Sequence, residues 1–536
     1  MTNSQRIYLS VLSGLLLVPA WYELGTGLIL LFAFIPLLFV EDFLFKNKIE
    51  HRPHKAFLYA ALAFFIWNAG ATWWLWNATE LGMLLAFMIN TMLMSVAFGL
   101  FHITRRNTNS AIGYFAMIVY WLVYEHFYLN AEINWPWLTL GNGFANDIHI
   151  IQWYEFTGCF GGSFWILLCN ILGFNLIKHI IRHRSLKGKL IEAGILLTVV
   201  LFPIIVSLVI YGNYKEKSDP REIVVLQPNI DPYDEKFGGM SMTEQMDILL
   251  NLADSLTTYK TDFIVAPETF LSNNVWEAEM YMNPMVQRVY KHLNKNYKQA
   301  SFIMGLIYYK LYQETETKSK TAQEIRGTGT YYDSYNAAMQ IDSSLVPQVY
   351  NKSKLVIGVE KMPYTEYLGF LRRLTLRLGG TFRSHGVQEF RENLYSGTDS
   401  TGISPVICYE SIFGEYVTDY IKEGSQFIFV LTNDGWWGDT PGYRQHHSYS
   451  RLRAIETRRS IARSANTGIS SLINQRGEII QRTNYWEPAA IRGILNANDE
   501  LTFYTLHGDF IARIAYFFAL LIALYTITRV LIERKR

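Results

Sequence analysis

A carboxylate, an amine and a thiol follow one another along this 536-residue chain, each beside a short apolar run. Glu268 ends Phe263-Ile264-Val265-Ala266-Pro267-Glu268, Lys352 lies in Tyr350-Asn351-Lys352-Ser353-Lys354-Leu355, and Cys408 joins Ile403-Ser404-Pro405-Val406-Ile407 to Tyr409-Glu410-Ser411-Ile412-Phe413. Together these types can run acyl chemistry: a carboxylate takes the thiol proton, the sulfur attacks a carbonyl carbon, and an ammonium steadies the oxyanion. Taken singly, each has an ordinary alternative. Alone, Glu268 reads as a loop residue or helix cap and Lys352 as a surface charge, while Cys408 reads equally as a buried structural thiol. Cys408 stands where a strand meets a helix, and helix-start amides with a nearby lysine are expected to lower its pKa.

These residues need a scaffold of strands. Apolar, β-branched runs at 223–227, 263–266, 302–306, 337–341, 404–407 and 427–431 alternate with polar helical patterns, which predicts an α/β layered domain. Trp276, Met280, Tyr281, Met282 and Met285 suit either core packing or a wall for acyl chains. Residues 367–382 mix bulky apolar side chains with Arg372, Arg373 and Arg377, which fits an anionic membrane surface or a plain surface helix. The basic segment 444–463 reads as a salt-bridged helix, with contact to lipid headgroups as the alternative.

Half the residues are hydrophobic and 18% are charged, while the mean hydropathy is only +0.08, an average over an apolar part and a water-soluble part. A net charge of +2 excludes a broadly basic nucleic-acid binder. Cys159, Cys169 and Cys408 are the only cysteines; the first two sit in apolar sequence as packing residues, so no disulfide framework is expected. About eight apolar runs are long enough to span a bilayer, beginning near Ile7, Thr26, His54, Gly82, Ala111, Gly158, Leu190 and Phe510. Lys46, Lys48, Arg52 and Lys55, then Arg105 and Arg106, then Lys178, Arg182, Arg184, Lys187 and Lys189, and finally Arg534, Lys535 and Arg536 follow alternate runs. The opposite connections, including 130–157 with its Trp135 and Trp137, carry no Lys or Arg. Both termini are then cytoplasmic, and that tryptophan loop reads as an interfacial aromatic belt. The expected organisation is a transmembrane bundle of about seven helices at 1–212, a periplasmic catalytic domain at 213–505, and a final transmembrane helix with a basic tail at 506–536.

The three flanks resemble the signature motifs of the nitrilase superfamily, which uses a Glu-Lys-Cys triad: Ala266-Pro267-Glu268, Tyr350-Asn351-Lys352 and Ile407-Cys408-Tyr409-Glu410. Asn433-Asp434-Gly435-Trp436-Trp437-Gly438, with the stretch from Arg453-Ala454-Ile455-Glu456 through Arg463-Ser464-Ala465-Asn466-Thr467-Gly468-Ile469-Ser470, resembles its membrane-bound branch, the apolipoprotein N-acyltransferases. The resemblance extends over nearly the whole chain, including the span layout. It implies a polytopic α-helical membrane protein with an inserted α/β nitrilase-like αββα sandwich. It also implies a triad of Glu268, Lys352 and Cys408, with Glu360, Tyr409, Glu410 and Trp436 in supporting positions. The family commonly continues His-Leu-Val-Pro-Phe-Gly-Glu after its lysine, whereas this chain reads Lys354-Leu355-Val356-Ile357-Gly358-Val359-Glu360. The choice of Lys352 over Lys354 rests on the Tyr-x-Lys spacing. A tryptophan usual after the first strand is replaced by Tyr233 and Phe237.

The implied activity moves a fatty acyl chain from a membrane phospholipid, through a cysteine thioester, to the α-amine of a lipoprotein's diacylglyceryl-cysteine. Its setting would be the bacterial inner membrane, with no cofactor, metal or nucleic acid. Two alternatives stand beside it: a membrane-tethered amidase acting on a soluble periplasmic amide, and a non-enzymatic lipoprotein-binding component.

Overall fold

The computed structural model describes residues 1–186, 188–236, 238–272, 275–344, 346–361 and 384–535. The predicted membrane-surface segment 367–382, along with Phe237 and Lys187, lies outside the described residues. The chain forms two compact units, one of Met1–Trp76, Glu80–Tyr214 and His507–Arg536, the other of Asn77–Thr79 and Lys215–Leu506.

The first unit is helical: α1 (Asn3–Leu17), α2 (Ile35–Lys46), α3 (His54–Thr72), α4 (Glu80–Asn107), α5 (Ser110–Asn130), α6 (Tyr154–His183), α7 (Leu190–Asn213) and a closing helix, Phe510–Lys535. Among the described residues five segments are long and apolar enough to cross a membrane: Gly27–Lys46, Glu80–Asn107, Tyr154–His183, Leu190–Asn213 and Phe510–Ile532. Helices also occupy the other three predicted spans, but α1 is only 15 residues long, and α3 and α5 carry buried polar side chains such as Asn68 and Glu125. In α7 only Ser207 is buried, so its apolar side chains face outward all round, as a lipid-facing helix requires. Buried charges of α2 and α4 are paired with each other. Arg105 bonds Glu41 and lies 2.8 Å from Asp42, which also takes Lys178 at 2.6 Å.

The tryptophan loop is not an exposed belt. Trp137 is buried, with its ring centroid 4.9 Å from Trp74 and 5.2 Å from the stacked Trp135. Gly141 seals the loop: a Cβ there would lie 1.9 Å from the Cys159 carbonyl oxygen. Cys159 and Cys169 are both buried and form no disulfide, as packing residues should.

The second unit is built on two sheets. The first has the order β13-β1-β2-β3-β5-β4 with β6 on β5; its strands are β1 (Pro220–Gln227), β2 (Phe263–Val265), β3 (Ser301–Leu311), β4 (Gln323–Glu324), β5 (Tyr331–Ile341), β6 (Gln348–Asn351) and β13 (Ala489–Asn496). The second runs β12-β11-β10-β9-β8-β7, from β7 (Leu394–Tyr395), β8 (Gly402–Ile407), β9 (Phe427–Thr432), β10 (Ser460–Ala465), β11 (Ser471–Ile473) and β12 (Ile479–Arg482). All six predicted apolar runs are strands here.

Alternation along each strand sorts the side chains between two buried faces. Val224, Leu226 and Ile264 join a core with Met246, Leu249 and Ala253 of α8 (Met242–Leu256) and Val286, Val289 and Leu293 of α9 (Pro284–Asn296). Phe263 points the other way, edge-on to Phe429 of the second sheet at 5.4 Å, and Ser464 of β10 donates to the Leu226 carbonyl at 2.7 Å. Helices α10 (Gly414–Lys422) and α11 (Pro441–Thr457) follow β8 and β9. The helix starts are written locally: Ser241 and Glu244 form a capping box on α8, and Asn283 caps α9 ahead of Pro284.

Candidate active site

Glu268 emerges just past β2 and is nearly buried. The next residue, Thr269, is left-handed at φ 50°, an uncommon and strained conformation for a β-branched residue. Gly305 of β3 makes room for this turn, since a Cβ there would stand 2.5 Å from the Glu268 Cα. Lys352 directly follows β6, with its backbone N–H on the Asn336 carbonyl at 2.8 Å. Its buried Nζ donates to Glu268 Oε1 at 2.8 Å and to Glu360 Oε1 at 2.9 Å. Asn336 Nδ2 donates to the same two oxygens, at 2.9 Å and 2.7 Å. The other oxygen of Glu360 accepts the Val356 N–H at 2.8 Å. Two carboxylates therefore share one ammonium and one amide.

Burial works against the Lys352 ammonium, but the charges of Glu268 and Glu360 override it and hold its pKa well above the ordinary lysine value. The same ammonium outweighs burial at Glu360 and holds that carboxyl below its usual range. Lys354 does something else. Its Nζ lies over the rings of Phe413 and Tyr416, at 5.0 Å and 5.7 Å, whereas the Lys352 ammonium bonds Glu268.

Cys408 closes β8 and is itself left-handed, φ 49°. Such a residue costs on the order of 1 kcal/mol, and strained backbone of this kind gathers where a side chain must be aimed. The expected lowering of the thiol pKa is overturned. Burial and the Glu268 charge push the thiol well above its ordinary value, and Lys352 opposes this without prevailing. The helix following Cys408 is a 3-10 turn of five residues, Cys408–Ile412, too short to supply a strong dipole. The resting sulfur is therefore a thiol beside a carboxylate.

Glu410, Tyr409 and Trp436 are each held by neighbouring groups. Glu410 is wholly buried and accepts the N–H groups of Ile407 and Ser353, at 2.9 Å and 2.7 Å, and the Tyr350 hydroxyl at 3.0 Å. Burial raises its pKa in spite of these donors. Tyr409 packs edge-on against Phe413 at 5.1 Å. Trp436 is half-buried with its ring 5.2 Å from Tyr233, whose hydroxyl donates to the Trp436 carbonyl at 3.1 Å.

Two residues escape a sequence reading. Asn336 is one of several buried polar residues of β5, beside Asp333, Ser334 and Gln340, so its residue type gave no distinguishing signal. Lys236 sits in the loop where a tryptophan was sought; it is buried, donates to the Glu268 carbonyl at 3.1 Å and to Thr269 Oγ1 at 3.0 Å, and burial brings its pKa down to about 8.

Of the residues that suit either core packing or an acyl wall, Met280 joins the core of the first sheet and Met285 packs against it. Met280 and Tyr281, with Glu277, Tyr308, Val346 and Val349, line a cavity of about 460 Å³. Tyr308 pairs with Tyr335, and Asn336 with Ile307, so alternation puts this cavity across the sheet from Glu268. Basic residues of segment 444–463 are partly internal: Arg453, Arg459 and Arg463 are fully buried. Among the described residues one group of metal-ligand types lies in this unit, Cys408, Asp434 and His446, whose ligand atoms are within 4.8 Å of one another. The Asp434 carboxylate there is already bound by Arg463 at 2.7 Å, which suits a hydrogen-bond network better than an ion.

Residues 225–495 match the carbon-nitrogen hydrolase family, and residues 13–172 match the apolipoprotein N-acyltransferase N-terminal domain. The chain is 27% identical over 540 residues to an apolipoprotein N-acyltransferase of Chlorobaculum tepidum, covering 98% of this chain and 97% of that one. It is 25% identical over 535 residues to one of Geobacter metallireducens, covering 95% and 93%. A solved amidase from Nesterenkonia is similar at 13% identity and a TM-score of 0.36, over 56% of this chain and 97% of that one. The match across half the sequence, joined to the N-terminal match, means that this chain belongs to the carbon-nitrogen hydrolase family, in the branch that carries an apolipoprotein N-acyltransferase N-terminal domain.

Proposed function

We infer that this protein is an apolipoprotein N-acyltransferase: it takes an acyl chain from a membrane phospholipid onto Cys408 and passes it to the α-amine of a lipoprotein's diacylglyceryl-cysteine. The observation that carries this reading is the buried cluster of Glu268, Lys352 and Glu360 acting on a thiol at a strained strand end, in a chain similar along its length to such acyltransferases.

Because the thiol rests protonated, the first step needs a base. Glu268 takes the proton as Sγ attacks the ester carbonyl carbon, and the Lys352 ammonium stabilises the tetrahedral oxyanion. Collapse breaks the ester C–O bond, Glu268 returns the proton to the departing lysophospholipid oxygen, and a thioester remains. The amine then attacks that thioester, Glu268 accepts the amine's proton, and the thiol is re-formed as the amide leaves. Glu360 and Asn336 hold Glu268 and Lys352 in register throughout. The α/β unit, residues 213–505 in our assignment, would face the periplasm between the transmembrane helices of 1–212 and 506–536, with both termini cytoplasmic in the inner membrane.

The test is incubation of the purified protein with phospholipid carrying a labelled acyl chain. Label should attach covalently, be released by neutral hydroxylamine, move to a diacylated lipopeptide amine, and be absent from Cys408→Ala. Absence of labelling with release of ammonia from small amides would favour a membrane-tethered amidase instead.

A further inference from the structure

Against the Cys408 backbone lies a second buried polar cluster to which the reaction assigns no part. His446 of α11 is 1% exposed. Its Nε2 is 3.1 Å from the Cys408 carbonyl oxygen and 3.0 Å from Ser411 Oγ, and that hydroxyl donates to the same carbonyl at 2.8 Å. Its Nδ1 is 2.9 Å from Asp434 Oδ1 and 3.0 Å from an Arg463 guanidinium nitrogen. Arg463 also bonds Asp434 Oδ2 at 2.7 Å, and Thr432 Oγ1 donates to Asp434 Oδ1 at 2.7 Å. The Trp437 ring stands edge-on to the imidazole at 5.5 Å.

Cysteine, histidine and aspartate in this proximity invite comparison with a Cys-His-Asp catalytic triad, in which the imidazole would deprotonate the sulfur. The bonding argues otherwise. A carbonyl oxygen only accepts, so Nε2 carries a hydrogen and is occupied by the backbone of Cys408 rather than by its sulfur. Nδ1 lies between Asp434 Oδ1, which only accepts, and an Arg463 nitrogen, which only donates, so that side of the ring is taken up by the Asp434–Arg463 pair whichever of them it bonds. Burial and the Arg463 charge both disfavour a further proton on the ring, and Asp434 is held below the usual carboxylate range by Arg463 and His446 despite its burial. An imidazole so committed is a poor base. It is well suited to fixing a carbonyl.

That carbonyl belongs to a residue at φ 49°, whose conformation sets where Sγ points. We propose that His446 is a positioning residue for Cys408: its Nε2–H, with Ser411, clamps the Cys408 carbonyl and keeps the nucleophile in its left-handed pose, while Arg463 and Asp434 fix the ring. This rests on Cys408 being the reactive thiol of the acyl transfer inferred above.

The test compares two amides of nearly equal polarity in the full-length protein. His446→Gln puts an N–H donor near the place of Nε2, whereas His446→Asn puts one only near Nδ1, out of reach of the carbonyl. Single-turnover transfer of labelled acyl chain to Cys408 should stay within about threefold of wild type in His446→Gln and fall about 30-fold or more in His446→Asn, since small displacements of a reacting atom cost up to about 100-fold. The pH profile of acylation should keep its shape in both variants, as a base role would remove a limb from both. The rate of Cys408 alkylation by iodoacetamide, read against Cys408→Ala, reports the same displacement without any lipid. Equal acylation and alkylation rates in the two folded variants, or a changed profile in His446→Gln, overturn the proposal. Lipid labelling that persists in Cys408→Ala would instead overturn the acyl-transfer reading itself.

Discussion

Glu410 accepts the backbone N–H of Ser353 at 2.7 Å, and so ties the residue after Lys352 to the residue two past Cys408. Its other oxygen takes the N–H of Ile407, just before the cysteine, so a single buried carboxylate spans the lysine and cysteine segments. In Glu410→Gln one of these N–H groups must face an amide N–H instead. Hydrogen bonds to a charged group contribute about 1.5–3 kcal/mol, and the melting temperature in detergent should fall accordingly. Acyl-enzyme formation should drop about 100-fold because lysine and thiol lose their common anchor. Wild-type melting and labelling in this variant would make Glu410 a bystander.

The two lysines separate cleanly. Lys352→Met removes the ammonium shared by Glu268 and Glu360, leaving two carboxylates facing each other across a buried gap. Labelling should fall by about 1,000-fold or more, as expected for loss of an oxyanion-stabilising group. Lys354→Met loses only contacts over Phe413 and Tyr416, worth about 1 kcal/mol, and should keep activity within about threefold. The measurement is single-turnover labelling of both variants at one lipid concentration, and a reversed order would move the catalytic lysine to Lys354.

Asn336 offers a test of charge against shape. Asn336→Asp puts a third carboxylate against Glu268 and Glu360, while Asn336→Leu removes the donor without adding charge. Like charges in one buried site cannot all ionise, so the Asp variant should raise the acidic limb of the pH–rate profile by about one unit or more. The Leu variant should lower kcat while leaving that limb in place. Steady-state profiles of both variants decide the matter.

Lys236 gives a stability effect with a defined sign. Its folded pKa of about 8 lies below the ordinary 10.5, so between these values the unfolded chain binds the extra proton and the fold gains stability as pH rises. The full gain is on the order of 3 kcal/mol and should be missing in Lys236→Met, whose melting temperature changes with pH only through other groups. Parallel melting curves of the two proteins across that window would remove Lys236 from its buried contact with Glu268.

Much of this arrangement was legible because apolar runs announce strands, and strand ends are where polar side chains can gather. The runs before Glu268 and Cys408 became β2 and β8 almost residue for residue. β10 was missed because Ser460-Ile461-Ala462-Arg463-Ser464-Ala465 looks polar, yet every residue in it is buried and its arginine pairs with Asp434. Asn336 could not be found because its partners lie 68 and 24 residues away, a distance only sheet pairing closes. The thiol pKa failed for a related reason. A local motif suggests the helix start but not the burial or the facing carboxylate.

The protonated sulfur at Cys408 carries a consequence for endurance. Oxidants, disulfides and alkylating agents react with thiolates and only slowly with thiols. An exposed low-pKa cysteine in an oxidising compartment would be converted to sulfenate or mixed disulfide between turnovers. In the mechanism proposed above, the anion would form only as the Glu268 carboxylate draws the proton during attack on an acyl carbon. Burial, which pushes the thiol pKa up, would then also shield the nucleophile in the oxidising compartment proposed for it.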